Sequence, residues 1–315
     1  MKDGRLLIGH LCMLGASMMW GMMAPLGHDA MTHGISGLQM ICFRVAGASV
    51  CFWLASILMN LYNIHKYNLH CYDEVTEKVD KRDYLKLFGA AMFAIIFNQG
   101  NYIIGLSITS PLNASIMTTT MPIFTMILAF IFIKEPITFL KFSGVILGAC
   151  GAATLILSSA NGHIGGGVLR GDLQCVAAQF SYAIYLTAFK DIIQKYSPLT
   201  CMKWMMTFSS IVFLPFGFPL FAEMDWGSVT SKVWMETLFV VVGGTFISFL
   251  LCLTAQKILR PTVVAMYNYV QPIVSCSASV LLGIGVFSWS HLLAIVLIFS
   301  GVYMVNRSKA KDDKV

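Results

Sequence analysis

The chain has 315 residues, of which 57% are hydrophobic and 11% charged, with a formal net charge of +6 and a mean hydropathy of +0.75. A soluble globular domain carries about 25% charged residues, so this composition excludes a water-soluble fold and fits a surface that faces lipid. The basic residues lie in short clusters between apolar runs, which is the pattern of membrane orientation and not of nucleic-acid binding.

A helix needs about 20 apolar residues to cross the hydrocarbon core. On that measure the sequence predicts ten spans in chain order, near 6–27, 36–61, 84–106, 111–133, 139–158, 171–190, 198–221, 234–256, 261–284 and 289–306. The first follows Met1-Lys2-Asp3-Gly4-Arg5, and its apolar run reaches Leu26 without a small-x-small cleavage site, so a retained helix is expected rather than a signal peptide. No soluble domain fits between the spans. The longest connections are 62–83, which is polar and charged, and 159–170, whose Gly165-Gly166-Gly167 reads as a hinge between halves 1–160 and 161–315. With the N-terminus cytoplasmic, the Lys and Arg residues outside the spans all fall on the cytoplasmic side except Arg170 and Lys232. That asymmetry predicts cytoplasmic termini at both ends.

The halves align. An offset of 162 pairs Gly9 with Gly171, Ala16 with Ala178 and Trp20 with Tyr182; an offset of 161 pairs Ser49 with Ser210 and Phe52 with Phe213. Beyond the long connection an offset of 150 pairs Pro111 with Pro261, Pro122 with Pro272 and Gly151 with Gly301. Five helices is an odd number, so the second copy enters from the opposite side. The expected fold class is therefore an all-α membrane protein of ten transmembrane helices in two five-helix inverted repeats, with a site near the midplane where the repeats meet.

Pro122 and Pro272 are the hinge candidates. A proline inside a helix frees the carbonyl four residues earlier, here that of Thr118 or Asn268. In hydrocarbon such a carbonyl needs protein or a watery cavity. Ser115, Thr118 and Pro122 share one helical face, as do Ala265, Asn268 and Pro272. Lining a cavity and merely kinking a helix for packing are both compatible with this pattern.

Arg44 is the strong charge well inside an apolar run, and its repeat counterpart is Met205. It is a candidate substrate contact, or an arginine that snorkels or clamps carbonyls between helices. Lys203, nearer its helix end, is expected to snorkel. Asn98, Gln99, Asn101 and Tyr102 form a polar patch on the third span, with Asn98, Asn101 and Tyr102 on one face. Gln179, Ser181, Tyr182 and Tyr185 on the sixth span, and Tyr267, Asn268 and Gln271 on the ninth, add amides and phenols at membrane depth. Such a set suits a neutral or zwitterionic organic ligand with some apolar surface, or a packing network. Trp20 is a cavity wall or ordinary packing.

Glu135, between Lys134 and Pro136, is expected at the cytoplasmic boundary. No Asp or Glu is placed mid-span, which argues against a buried carboxylate proton relay. The 20 methionines read as lipid-facing or core filler. The nine cysteines form no CxxC pair and read as small hydrophobes. No metal cluster or cofactor is expected, and the sequence has no HExxH, GxSxG or Walker A pattern, so an intramembrane enzyme is disfavoured.

Phe97-Asn98-Gln99-Gly100-Asn101-Tyr102, followed by Ser110-Pro111-Leu112-Asn113-Ala114-Ser115, Met121-Pro122 and Lys134-Glu135-Pro136, resembles the third-to-fourth-helix signature of the EamA family in the drug/metabolite transporter superfamily. Trp20-Gly21, Arg44 and Gly171-Asp172-Leu173 fit the same pattern, and the resemblance covers nearly the whole chain. It implies a ten-helix secondary carrier with a central cavity, often an exporter of amino acids or other metabolites. The chain departs from the pattern at Gly285, where Glu135 would repeat. A single buried cation disfavours a phosphorylated substrate, and the absence of a Glu from the first span disfavours a proton-driven polycation exporter. The expected setting is a bacterial inner membrane; the expected partners are a small-molecule substrate and the lipid bilayer, with a second copy of the chain left open. A membrane sensor or scaffold without transport is the alternative.

Overall fold

The computed structural model describes residues 2–67, 76–108, 117–159, 169–227, 229–281 and 289–308, and these are helical throughout apart from short connections. In chain order the helices are α1 (Lys2–Thr32), α2 (Gly37–Tyr67), α3 (Lys81–Ala91), α4 (Phe97–Ile108), α5 (Met121–Ile133), α6 (Phe139–Ser159), α7 (Leu169–Ala188), α8 (Lys190–Lys195), α9 (Pro198–Ala222), α10 (Ser231–Val241), α11 (Ser248–Gln256), α12 (Pro261–Met266), α13 (Val270–Leu281) and α14 (Trp289–Arg307). Five stretches are long and apolar enough to cross a membrane: Gly4–Thr32, Gly37–Lys66, Lys81–Gly105, Pro198–Ala222 and Ser231–Gln256. Met121–Ile133, Phe139–Thr154 and Leu292–Arg307 are shorter apolar helices.

Local sequence sets the ends. Ser197 caps α9 by accepting from the Thr200 amide, with Pro198 in the first turn, and Thr230 caps α10 by accepting from the Val233 amide. Lys134 closes α5 in the left-handed conformation, at φ 54°, and Pro136 follows two residues later. Large apolar side chains such as Leu58, Phe130, Ile131, Phe216 and Phe218 are exposed. Such a surface is stable against hydrocarbon and not against water.

Two kinds of interruption break the helices. The first is a π-segment: Met92–Ile96 joins α3 to α4, and Val242–Ile247 joins α10 to α11. The starts of these segments are 150 residues apart. The second is a break before a proline. Met117 and Thr118 are helical, Thr119 and Thr120 turn, and the helix resumes at Met121. A 3₁₀ turn at Tyr267–Tyr269 likewise separates α12 from α13. Pro122 and Pro272 therefore do not sit in the middle of continuous helices, as the sequence suggested. Each occupies the first turn of a helix that restarts, where a missing N–H is tolerated.

Close packing uses small residues. A Cβ on Gly301 would stand 2.5 Å from the Gly144 carbonyl oxygen, and one on Gly144 would stand 2.8 Å from the Gly301 carbonyl oxygen. α6 and α14 thus meet backbone to backbone, as small residues allow in membranes. Glycine is equally required at Gly47, where a Cβ would meet Val241 at 2.6 Å.

One end of the bundle is tied by ion networks. Glu135 stands just past the end of α5 and is 4% exposed. It accepts from Lys141 at 2.8 Å, from Arg260 at 3.4 Å and from Thr262 at 3.2 Å, and Lys141 also donates to the Pro136 carbonyl. Arg260 donates to the carbonyls of Val305 and Asn306. This joins the end of α5, the starts of α6 and α12 and the end of α14. At the same end Asp83 accepts from Lys195 at 2.6 Å and from Tyr196 at 2.8 Å. Lys203 does not snorkel: it is buried, donates to Ser56 at 3.2 Å and lies 4.7 Å from the Trp53 ring centre.

Candidate functional site

A cavity of about 200 Å³ lies toward the opposite end of the bundle. Its walls come from α1, α2, α4, α7, α10, α11 and the two interrupted segments around Thr118 and Asn268. Trp20, Arg44, Asn98, Tyr102, Thr118, Tyr182, Asn268 and Gln271, all singled out in the sequence, line it together. The remaining candidates do not. Asn101 turns back to its own helix and donates to the Phe97 carbonyl. The Tyr185 hydroxyl donates to Gln256 at 3.0 Å within the packed core. Tyr267 bonds His10 through its hydroxyl at 2.8 Å. Pro122 and Pro272 are absent from the walls, where Met121 and Gln271 stand instead. Ser115, together with Gly285 and the glycine run at 165–167, lies outside the described residues.

Arg44 is 8% exposed. Its Nε donates to Thr245 Oγ1 at 3.1 Å and its Nη1 to Gln99 Oε1 at 2.8 Å. The anchors are placed by the π-segments. Thr245 lies within the second segment, where its hydroxyl donates to the Val240 carbonyl five residues back. Gln99 stands three residues beyond the first segment. Inserted residues of this kind turn side chains away from ordinary helical register, which is why such bulges collect at functional sites. Gln99 then donates to Asn98 at 3.0 Å, and Asn98 to the Ala178 carbonyl at 2.9 Å. Each amide in this relay is oriented by the next. Among the described residues Arg44 has no carboxylate within ion-pair distance. Its guanidinium has five N–H donors in a planar fork, and two anchors leave the fork with capacity for an acceptor group in the cavity.

Across the cavity Gln271 donates to Asn268 Oδ1 at 2.7 Å, and Asn268 donates to the Met121 sulfur at 2.7 Å. The aromatic wall is Trp20, edge-on to Phe249 with ring centres 5.6 Å apart, and Tyr182, tilted against Tyr185 at 5.3 Å. The apolar remainder includes Met23, Met31, Met40 and Met121. Methionines that read as filler thus form part of the wall, and their flexible thioethers suit a surface that adapts to its ligand.

Sequence reasoning named Gln99 and Gln179 without placing them in the site, and it missed Thr245 altogether. Only the π-segment directs Thr245 toward Arg44; a threonine in an apolar run otherwise reads as packing. It also missed Glu236, which is 7% exposed and buried on α10, because a carboxylate so near a predicted span end reads as solvated.

Comparison with known proteins places the chain among membrane transporters. A family model described as the EamA-like transporter family matches residues 7–157 and again 169–307. The chain is similar to the uncharacterized transporter YetK of Bacillus subtilis, at 22% identity over 83% of this chain and 78% of that protein. It is also similar to an S-adenosylmethionine uptake transporter of Rickettsia prowazekii, at 25% identity over 59% of each chain. A solved crystal structure shares its fold with a TM-score of 0.73, at 15% identity over 96% of both chains. The family matches cover nearly the whole chain, and the chain belongs to the EamA-like transporter family.

Proposed function

We propose that the protein is a secondary carrier, working as an exporter of a small amphipathic metabolite such as an amino acid, by alternating access between two inverted five-helix repeats covering 1–160 and 161–315. The observation that carries the substrate class is the buried Arg44, held by a hydroxyl and an amide and with no carboxylate beside it among the described residues. A buried cation without an anionic partner is costly. A substrate carboxylate arriving in the cavity would supply that partner through charge-assisted bonds. Asn268, Gln271 and Gln179 offer donors and acceptors for an ammonium or other polar group, and Trp20, Tyr182 and the methionines offer apolar contact. The relative that takes up S-adenosylmethionine handles an amino-acid derivative, which supports this class.

Several features support the two-repeat reading. The family model matches the chain twice, and the π-segments and helix breaks recur at an offset of 150. Wall residues also fall in repeat-related pairs: Trp20 with Tyr182, Gln99 with Phe249, Thr118 with Asn268, and Met121 with Gln271. With both termini cytoplasmic in a bacterial inner membrane, the cavity lies in the outer half and the Glu135 and Asp83 networks tie the cytoplasmic half. The interrupted segments before Pro122 and Pro272 supply the flexible points as the halves rock.

The test is counterflow in proteoliposomes loaded with a panel of amino acids. Arg44→Ala is expected to abolish flux of the transported solute while thermal unfolding stays near wild type. Unchanged flux in Arg44→Ala would remove Arg44 from the site. Accumulation against the direction of export would reverse the assigned direction.

A further inference from the structure

Beside the cavity, where α1 ends and α10 begins, Asp29, Lys232 and Glu236 come together. Lys232 Nζ lies 2.7 Å from Asp29 Oδ2 and 3.5 Å from Glu236 Oε1. Asp29 also faces His33 at 3.5 Å, whose ring bonds the Asp29 carbonyl at 2.8 Å. The Lys232 side chain is 70% exposed and that of Asp29 35%. Glu236 differs: it is 7% exposed, and its Oε2 is buried with no hydrogen-bond partner. Its neighbours on that side are apolar. Ala30, Val233 and Val240 belong to a small cluster with Ile35 and Met40. From α2 the nearest charge is Arg44, which is anchored on Thr245, nine residues and about 13 Å further along the α10–α11 axis. The charges facing Glu236 are therefore Asp29 and His33 from α1 and Lys232 from its own helix.

One lysine serves two carboxylates here, and it sits closer to Asp29. Two carboxylates sharing a site cannot both ionise without penalty, and a buried carboxylate oxygen without a donor is costly. A proton on Glu236 Oε2 removes both penalties. We propose that Glu236 is a proton-binding site at the outer rim of the cavity, loaded from the outer solvent through Asp29 and Lys232, and that its protonation tightens the contact α1 and α10 already make there. The position supports this role. Val240, one turn inward from Glu236, and Gly27, just before Asp29, both line the cavity and pack against each other. Binding a proton removes the repulsion between Asp29 on one half and Glu236 on the other, leaving the Asp29–Lys232 bond to hold α1 against α10 unopposed. The step involves only a proton, taken from outer water and held on one carboxyl oxygen. It extends the carrier reading by naming the coupling ion.

Infrared difference titration of the full chain in lipid nanodiscs tests the site without any transported solute. Wild type is expected to show a protonated-carboxyl band that persists above the pH at which an ordinary carboxyl has ionised, and E236Q is expected to lack it. D29N, changed at the exposed partner, removes the competing carboxylate and frees Lys232 for Glu236. Its band is expected to require a roughly tenfold higher proton concentration, which keeps the proposal testable if E236Q fails to fold. Absence of the band in wild type, its persistence in E236Q or an unmoved titration in D29N overturns the proposal. The band reports protonation and not flux, so a protein that shows it yet moves no solute would refute the carrier reading and leave the proton site standing.

Discussion

Arg44 and Lys141 are both buried cations, and they are solvated in opposite ways. Lys141 is 1% exposed and meets the Glu135 carboxylate and a carbonyl, while Arg260 and Thr262 fill the rest of that carboxylate's capacity. Among the described residues Arg44 bonds to the uncharged Thr245 and Gln99 and to no carboxylate. The first arrangement neutralises its charge and ties four helix ends together. The second leaves its charge available on the wall of a cavity. A buried cation is structural or receptive according to whether the protein itself supplies the anion.

Breaking the Lys141 pair should have the largest effect. Glu135→Ala strands a buried ammonium and is expected to destabilise by about 3–5 kcal/mol, read as a lowered thermal unfolding midpoint in detergent. Replacing both partners, Glu135→Gln with Lys141→Met, should recover most of that loss. Arg44→Met sharpens the contrast: methionine already stands at the counterpart position 205, so stability should stay within about 1 kcal/mol of wild type while counterflow is lost. Thr245→Val removes one anchor of the guanidinium. It is expected to weaken substrate half-saturation severalfold, by about 1 kcal/mol, with little change in unfolding.

The smallest effect belongs to an exposed contact outside the membrane-spanning helices. Partial burial pushes the Glu77 carboxyl up, but hydrogen bonds from Ser197 and Thr200 outweigh it and hold the group below its ordinary range. A carboxyl lowered in the folded state contributes stability above its unfolded value and loses it as the pH falls through the folded one. Beyond the pH-independent loss of the α9 cap, Ser197→Ala should therefore flatten the acid side of a stability-versus-pH curve slightly, by no more than about 0.5 kcal/mol. An unaltered curve would show that this contact is energetically silent.

Much of the cavity was legible because its residues violate the rule of their surroundings. An arginine, paired prolines and amides inside apolar runs stand out in a linear string, and Trp20, Thr118 and Asn268 were found that way. Lys203 was misread for the converse reason. Near a helix end, solvated and buried charges look alike in sequence, and only their partners distinguish them. For Lys203 that partner is Ser56, 147 residues away. Asn101 was misplaced because it shares the helix with Asn98 and Tyr102 but turns its amide back to the Phe97 carbonyl four residues earlier instead of into the cavity.

The sequence by itself determined that the chain is helical and lies in a membrane, because apolar run length and charge content follow directly from the free energy of transfer into hydrocarbon. It also carried the family, through motifs local to the third and fourth spans. Tertiary structure alone decided which polar side chains share a cavity, which cation has a carboxylate, and that Glu236 is buried facing Asp29. Those outcomes depend on contacts between residues as far apart in the chain as Gly21 and Gln271, and on π-segments that shift helical register, neither of which any local pattern of residues specifies.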